Sequence, residues 1–264
     1  MIYAGCDLGI SSAKVVLTEN KTILANKVVH YKSFPDKAIK AAIEGALIKA
    51  GRSADEVVSC MATGFGHKIV SFADQFAVNP ICLLRGLREV NPETRTVIDV
   101  GGHTLMASNI DQNWNLVQPA VIEDCAAGTG FFIEMMAKAM EFPMEDLASG
   151  SIASANPIRP TNTCVVLAES EVISRIHEGY NRYDVFAGIA LAVAAKIFGI
   201  ARRIDILPEV AIVGGITKNR VVMNELERRL DLKFAHLNGV DPQIVAAFGA
   251  ALLAEENHNG VKPG

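Results

Sequence analysis

Short apolar and β-branched runs, separated by polar turns, begin the chain. They predict three strands, at residues 1–6, 14–19 and 27–31. Pro35 then starts a stretch whose apolar residues recur at helical spacing, which predicts a helix. A fourth strand, predicted at residues 57–62, runs into Thr63-Gly64-Phe65-Gly66. This order of strands and helix is typical of an α/β protein.

A similar pattern begins again in the second part of the chain. Strands are predicted at residues 96–100, 105–110, 116–121 and 210–213, and helices at residues 131–140, 165–176, 186–204, 219–230 and 243–255. In both parts an Asp-x-Gly sequence follows a strand, at Asp7 and at Asp99, and a predicted hairpin follows it. This faint internal duplication predicts two similar α/β lobes. The boundary is predicted near residues 86–95, where Gly86, Asn91 and Pro92 act as breakers.

The composition of the chain limits the classes of protein to which it can belong. The chain has 264 residues, 50% of them hydrophobic, and a net charge of −4 without a basic run, so a large core is expected and nucleic acid is not an expected partner. We predict no signal peptide, and the apolar stretch 185–200 is too short and too mixed for a membrane span. Five widely spaced cysteines predict no disulfide framework. A protein of a reducing cytoplasm is therefore expected.

The first Asp-x-Gly turn has the chemistry of a phosphate site. Its candidate residues are an acid, a glycine, two hydroxyls and a lysine: Asp7, Gly9, Ser11, Ser12 and Lys14. Turn amides and hydroxyls can bind phosphate oxygens, and a carboxylate can hold Mg²⁺, usually through water. An ordinary hairpin would have the same pattern, so at this point both interpretations stay open.

Two further turns repeat the arrangement. One follows the strand at residues 96–100 and the other precedes the helix at residues 219–230; their candidate residues are Asp99, Gly101, Gly102, Gly214, Gly215 and Lys218. Two carboxylates facing each other across a cleft could bind a metal–phosphate complex and orient an attacking water. Paired glycines allow the flat approach of a nucleoside, although a glycine-rich connection is the plain alternative. The sequence contains no Walker motif and no Gly-x-Gly-x-x-Gly fingerprint.

Two cysteines each precede a predicted helix. Cys125 lies in Asp124-Cys125-Ala126-Ala127-Gly128-Thr129-Gly130, and Cys164 follows Thr161-Asn162-Thr163. A helix N-terminus lowers the pKa of a thiol and favours an anionic cluster. Two thiols are half of the four ligands of a usual iron–sulfur cluster, which suggests one cluster shared between two identical subunits. The remaining cysteines lie in apolar runs and are expected in the core: Cys6, Cys60 and Cys82.

Together these motifs resemble the phosphate and adenosine motifs of the actin/hexokinase/Hsp70 superfamily. More closely, the cysteine segments and Cys164-Val165-Val166-Leu167-Ala168-Glu169-Ser170-Glu171 resemble the activators (component A) of 2-hydroxyacyl-CoA dehydratases. These belong to the BadF/BadG/BcrA/BcrD-type ATPases, with the ATPase subunits of benzoyl-CoA reductase and the reductases of double-cubane-cluster proteins. The likeness covers nearly the whole chain. For Glu169 and Glu171 a solvated helix face is the plain interpretation. The resemblance leaves a role in nucleotide or interface contacts open, and none is assigned to them here.

The resemblance implies an α/β fold of two ribonuclease-H-like lobes around a nucleotide cleft. Residues 1–90 are expected to form the N-terminal lobe, completed by the C-terminal helix at about 243–256. Residues 91–256 are expected to form the second lobe, which carries the cluster cysteines, and residues 257–264 a disordered tail.

It also implies a homodimer with one bridging 4Fe–4S cluster, bound by Cys125 and Cys164 of each chain, and ATP–Mg²⁺ in each subunit. Asp7 and Asp99 would be catalytic. The glycine turns, Lys14, Lys218 and the cofactor-binding residues Gly128, Thr129 and Gly130 would contact the cofactors. Reduced ferredoxin or flavodoxin would load an electron. ATP hydrolysis would then drive its low-potential transfer to a partner iron–sulfur dehydratase or reductase.

The sequence departs from the family after Gly102, where His103-Thr104 replaces the usual Gln-Asp. Ile10 and His67 also differ from the usual residues. These changes concern hydrolysis and partner identity. A module that binds ATP but hardly hydrolyses it therefore stays open, as does a small-molecule kinase of the same fold with Asp99 as base. The two cysteines favour the electron-transfer function, because a kinase does not need them.

Overall fold

The computed structural model describes residues 1–122, 130–142, 154, 156–161 and 164–260. Its strands are β1 (Ile2–Leu8), β2 (Ser12–Glu19), β3 (Thr22–His30), β4 (Val57–Thr63), β5 (Gln75–Phe76), β6 (Thr96–Val100), β7 (Leu105–Ile110), β8 (Leu116–Ile122) and β9 (Val210–Val213). Its helices are α1 (Pro35–Ala50), α2 (Asn79–Val90), α3 (Gly130–Ala139), α4 (Val165–His177), α5 (Arg182–Ala201), α6 (Arg220–Leu230) and α7 (Val245–His258).

The chain divides into two compact units. Unit 1 comprises Met1–Glu93 and His236–Gly264, and unit 2 comprises Thr94–Ala235. Each unit contains one mixed sheet. In unit 1 the strand order is β3-β2-β1-β4-β5, and in unit 2 it is β8-β7-β6-β9. The first three strands of each order are antiparallel, and β1 pairs in parallel with β4 as β6 does with β9.

Helix α7 packs very closely on the rest of unit 1. A methyl group added at Gly5 of β1 would lie 1.9 Å from the carbonyl oxygen of Ala247, and one added at Gly86 of α2 would lie 2.2 Å from that of Val245. At Gly249 of α7 it would lie 1.8 Å from the carbonyl oxygen of Cys82. These backbones therefore approach to distances that only glycine allows.

Unit 2 has its own core around α5. Phe186, Ile189 and Ile197 of this helix are fully buried in a cluster that includes Phe132 and Met136 of α3. By length and composition alone α5 could cross a membrane, but 61% of its apolar window is buried inside the structure. Its apolar character is thus accounted for by packing, because a core helix is hydrophobic around much of its circumference.

Most predicted elements are confirmed within a few residues. In the described part of the chain, two elements were missed and two interpretations differ from the structure. The pattern did not predict β5 or α2. Gly86, interpreted as a breaker, lies inside α2, where its close approach to Val245 explains it. Helix α7 also includes Asn257 and His258, which were assigned to the tail. Asn257 donates a hydrogen bond to the Gln75 side chain (2.6 Å), so tertiary contacts extend the helix.

Candidate functional site

Parallel pairing brings two loops of unit 1 to the same sheet edge. β1 and β4 are parallel neighbours in which Asp7 pairs with Thr63, so the turn after β1 lies beside the turn after β4. Asp7 is only 8% exposed, and its Oδ2 accepts a hydrogen bond from Lys14 Nζ at 2.9 Å. The Lys14 ammonium also lies against Gly9, 3.1 Å from where a β-carbon would be. The predicted acid, glycine and lysine are therefore assembled in one place.

The backbone of the same turn is closed by a hydrogen bond. Gly9 N–H donates to the carbonyl of Ser12 at 3.0 Å. Ser11 is half-buried, and Ser12 is buried at the start of β2. A short turn with an exposed Ile10 thus connects the acid to the two predicted hydroxyl residues. Such a turn presents polar groups without bulk, which suits phosphate oxygens.

Gly64 and Gly66, which follow β4, pack against this turn. A methyl group at Gly64 would lie 2.3 Å from Asp7 Oδ1, and the φ angle of Gly64 is +85°. Gly66 N–H donates to the Leu8 carbonyl at 2.8 Å. Glycine is therefore needed at position 64 both for the backbone conformation and for the space that the Asp7 carboxylate occupies.

Tyr31, directly after β3, binds the turn at two points. Its backbone N–H donates to the Ser11 carbonyl at 3.0 Å, and its hydroxyl donates a short hydrogen bond to the Gly9 carbonyl. Partial burial, and secondly the charge of Asp7, raise the pKa of Tyr31, so the phenol stays a donor at neutral pH. Tyr31 therefore holds the turn in one conformation.

Unit 2 assembles its glycine turns in the same way, because β6 and β9 are parallel. Gly101 N–H donates to the Thr104 carbonyl at 2.9 Å, and Gly130 N–H, at the start of α3, donates to the Gly101 carbonyl at 3.1 Å. A methyl group at Gly214 would lie 2.1 Å from the Val100 carbonyl oxygen, and its φ is +100°. The three predicted glycine positions are therefore neighbours. Asp99, Gly102 and His103 are half-buried at this edge.

The turn after β9 leads into helix α6. Gly215 and the exposed Lys218 bound a short 3-10 helix, in which Thr217 Oγ1 donates to the Gly214 carbonyl at 2.9 Å. Asn219 caps α6, because its Oδ1 accepts from Val222 N–H at 3.1 Å. The predicted Gly214, Gly215 and Lys218 thus lie on a turn fixed at both ends.

Cys164 is an exposed free thiol at the N-terminus of α4. Its backbone carbonyl accepts from Ala168 N–H at 2.8 Å, which makes it the N-cap residue of a 13-residue helix. The N–H groups of the first turn carry partial positive charge, which favours an anionic ligand at this helix end. Cys164 therefore fits a cluster ligand. Cys125, Gly128 and Thr129 lie outside the described residues.

The other cysteines in the part of the chain that the structure describes do not fit such a site. Cys6, Cys60 and Cys82 are buried in unit 1, as expected for core residues. The contact with Cys60 Sγ, 3.6 Å away, together with burial, holds the pKa of Cys6 well above its usual range. Burial raises the pKa of Cys82 to about 12. The Cys6 and Cys82 thiols therefore stay protonated in the core, and buried thiols of this kind are chemically inert. Within the described ranges, no group of three or more metal-ligating side chains was found.

Three contacts of these sites were not predicted. The contact of Gly64 with Asp7 could have been predicted, because a glycine that directly follows a strand parallel to β1 is expected at the same sheet edge. The contact of Tyr31 with Gly9 joins residues 22 positions apart. That of Glu171 with Thr161 lies just before Cys164. Neither contact has a local sequence signal.

Comparisons with known proteins show the family and the fold of the chain. Residues 4–254 match the BadF/BadG/BcrA/BcrD ATPase family. The activator of lactoyl-CoA dehydratase from Anaerotignum propionicum is 33% identical over 260 residues, 97% of this chain and 98% of that protein. The activator of 2-hydroxyisocaproyl-CoA dehydratase from Clostridium difficile, solved with bound ADPNP, has a TM-score of 0.89 and 32% identity, covering 100% of this chain and 99% of that one.

A more distant relative is one of the subunits of benzoyl-CoA reductase from Thauera aromatica, which is 26% identical over 97% of this chain and 94% of its own length. The predicted α/β fold of the actin/hexokinase/Hsp70 type is confirmed by the two mixed sheets and by the structural match. The chain belongs to the BadF/BadG/BcrA/BcrD ATPase family.

Proposed function

We propose that this protein is an ATP-dependent electron-transfer activator that works as a homodimer in a reducing, anaerobic cytoplasm. Its partner would be an iron–sulfur enzyme such as a 2-hydroxyacyl-CoA dehydratase. The observation that carries the proposal is the exposed Cys164 at the N-terminus of α4. A kinase of the same fold has no use for a thiol there, whereas a cluster ligand requires one. The relatives named as activators support the same function.

Each unit has its own candidate groups for the proposed nucleotide chemistry. In unit 1, Asp7 would hold Mg²⁺ through water, and the turn amides with Ser11 and Ser12 would bind phosphate oxygens. The 2.9 Å ion pair with Asp7 holds the Lys14 ammonium beside the turn, where it could also bind a phosphate oxygen. In unit 2, Asp99, Gly101 and Gly102 would serve the γ-phosphate, and Gly214, Gly215 and Lys218 the nucleoside.

Cys125 and Cys164 of two chains, with Gly128, Thr129 and Gly130 beside the first, would hold one 4Fe–4S cluster. When bound, such a cluster accepts and releases single electrons. The chain's own contribution is to supply thiolates, to orient helix N-termini toward negative charge and to couple a conformational equilibrium to ATP hydrolysis. Ferredoxin or flavodoxin would be the electron donor.

The proposal is tested by purifying the protein without oxygen. We expect a dimer with about four iron and four sulfide per two chains, and a brown colour that air bleaches. With dithionite as reductant, it should reduce 2-hydroxyisocaproyl-CoA or lactoyl-CoA dehydratase with ATP but not with ADPNP. A colourless, iron-free monomer that phosphorylates a sugar would overturn the proposal.

The benzoyl-CoA reductase relative supports a second candidate, the ATPase component of a benzoyl-CoA-reductase or double-cubane-cluster system. The same preparation distinguishes the candidates. Phosphate release should rise only with the cognate partner, so a panel of dehydratase and reductase components identifies it. Slow release with every partner would instead support a module that binds ATP without rapid hydrolysis, as the His103-Thr104 departure suggests.

Replacing Tyr31 with phenylalanine is expected to weaken nucleotide binding by about 2- to 10-fold, because one net hydrogen bond of about 0.5–1.5 kcal/mol holds the Gly9 carbonyl. Calorimetric titration of the anaerobic protein with ADPNP measures the change. Tyr3→Phe is the matched control, since its hydroxyl contacts Asn259 at 3.5 Å and not the turn. Equal affinities of the two variants would show that Tyr31 does not position the turn.

A further inference from the structure

Glu171, which the sequence left without a role, is bound to the segment just before Cys164. Its Oε1 and Oε2 accept from the Thr161 backbone N–H at 2.9 and 3.0 Å, and Oε2 also accepts from the Thr161 hydroxyl at 2.7 Å. The Glu171 side chain is only 14% exposed. A carboxylate that accepts several hydrogen bonds from one residue fixes the position of that residue.

The same carboxylate is also fixed from its own helix. Arg175, one turn later on α4, lies 3.5 Å from Glu171 Oε1. The Arg175 guanidinium in turn lies over the ring of Tyr180, 5.4 Å from its centroid. The charge of Glu171 is thus balanced, and its side chain is held between helix and loop.

This anchor restrains Cys164 from both sides. Thr161 is only three residues before Cys164 in the sequence. Cys164 itself begins the hydrogen-bond pattern of α4 through its carbonyl bond to Ala168 N–H. The chain is therefore tied to α4 before the cysteine by Glu171, and again at the cysteine by the helix.

We propose that Glu171 is a positioning residue for Cys164: it holds Thr161, three residues before the cysteine, against α4, so that the thiol is presented at the N-terminus of this helix. The inference rests on the proposed function, in which Cys164 binds the cluster. Residues that orient metal ligands without touching the metal typically change metal affinity by about 10- to 100-fold when they are replaced.

The first test measures the anchor without a cluster. In iron-free Glu171→Ala protein, amide hydrogen exchange at Thr161 should be at least about tenfold faster than in the wild type, because hydrogen bonds to a charged acceptor are lost. Glu178→Ala is the matched control, since the Glu178 side chain accepts a hydrogen bond from Ser174, four residues before it on the same helix (3.1 Å). Unchanged exchange in Glu171→Ala would overturn the inference.

The second test measures the cluster. In anaerobically reconstituted protein, iron should be lost to a chelator about 10- to 100-fold faster from Glu171→Ala than from the wild type or Glu178→Ala. Glu171→Gln keeps an acceptor oxygen and should lie between them. Thr161→Ala, which removes only the hydroxyl bond at an exposed residue, gives a smaller loss in the same direction even if Glu171→Ala folds poorly.

The two failures are distinguishable. If wild type and Glu171→Ala bind iron and release it at equal rates, the positioning role is wrong while the proposed function stands. If the wild type binds no iron under these conditions, the proposed function fails, and this inference fails with it.

Discussion

Cys164→Ala is expected to leave a folded protein that has lost its iron. The loss should exceed the effect of replacing a residue that only orients a ligand, which changes metal affinity by roughly 10- to 100-fold. Cys164 is exposed and would supply one of the two proposed cluster ligands of each chain, and the alanine side chain has no atom that could bind iron in its place. Iron and sulfide analysis after anaerobic reconstitution measures the loss. Electron delivery to the dehydratase should fall with it.

ATP turnover in the absence of the partner enzyme should be retained in Cys164→Ala. The turns proposed to bind phosphate follow strands and do not include the N-terminus of α4. Cys60→Ala is the matched control: Cys60 is buried in β4, so its removal should leave the iron content unchanged. A Cys164→Ala protein that retains its colour and iron would contradict the assignment of this cysteine. Loss of iron from both variants would point to a folding defect instead.

Gly249→Ala is expected to destabilise the protein by about 2–3 kcal/mol, although alanine is the better helix former by about 1 kcal/mol. The added methyl group would lie 1.8 Å from the Cys82 carbonyl oxygen and 2.6 Å from Gly86 N, both of them backbone atoms of α2 that cannot turn aside. Helices α2 and α7 must therefore move apart and lose buried contacts. Urea unfolding of the iron-free protein measures the change in free energy.

Gly199→Ala is the matched control for this prediction. Gly199 also lies inside a helix, α5, but is exposed and has no atom within 4 Å of an added methyl group. There the propensity effect acts alone, so the variant should be as stable as the wild type or more stable by up to about 1 kcal/mol. If both glycine variants shifted the free energy of unfolding equally, the close approach of α2 and α7 would not limit stability.

Local patterns predicted most of the secondary structure. Alternating and β-branched runs placed β1, β4 and β6 within two residues of their observed bounds, and Pro35 marked the first residue of α1. These features depend on a few adjacent residues. Helix α2 was not predicted because a glycine such as Gly86 indicates a break. The close approach of the Val245 carbonyl, which requires glycine at this position, is not visible in the sequence.

The residue types of the candidate site could be predicted from the sequence, but the contacts between these residues could not. An acid, glycines and hydroxyls in the order Asp7 to Lys14 indicated phosphate chemistry, and a parallel pair of strands explains why Gly64 meets Asp7. The ion pair of Asp7 and Lys14 depends on the antiparallel register of β1 and β2, in which the two residues are directly opposite. The register is fixed only in the folded sheet, because the same two strand sequences could pair in several different registers.

By itself the sequence determined where most strands and helices form, which turns carry glycine, and which thiols lie outside apolar runs, because each is encoded within a few adjacent positions. Only the tertiary structure decided that Tyr31 holds Gly9, that Glu171 holds Thr161, and that three glycines let α7 pack on unit 1. The physical reason is that such contacts join groups brought together by sheet register and helix packing, and their distances arise only when the whole chain has folded.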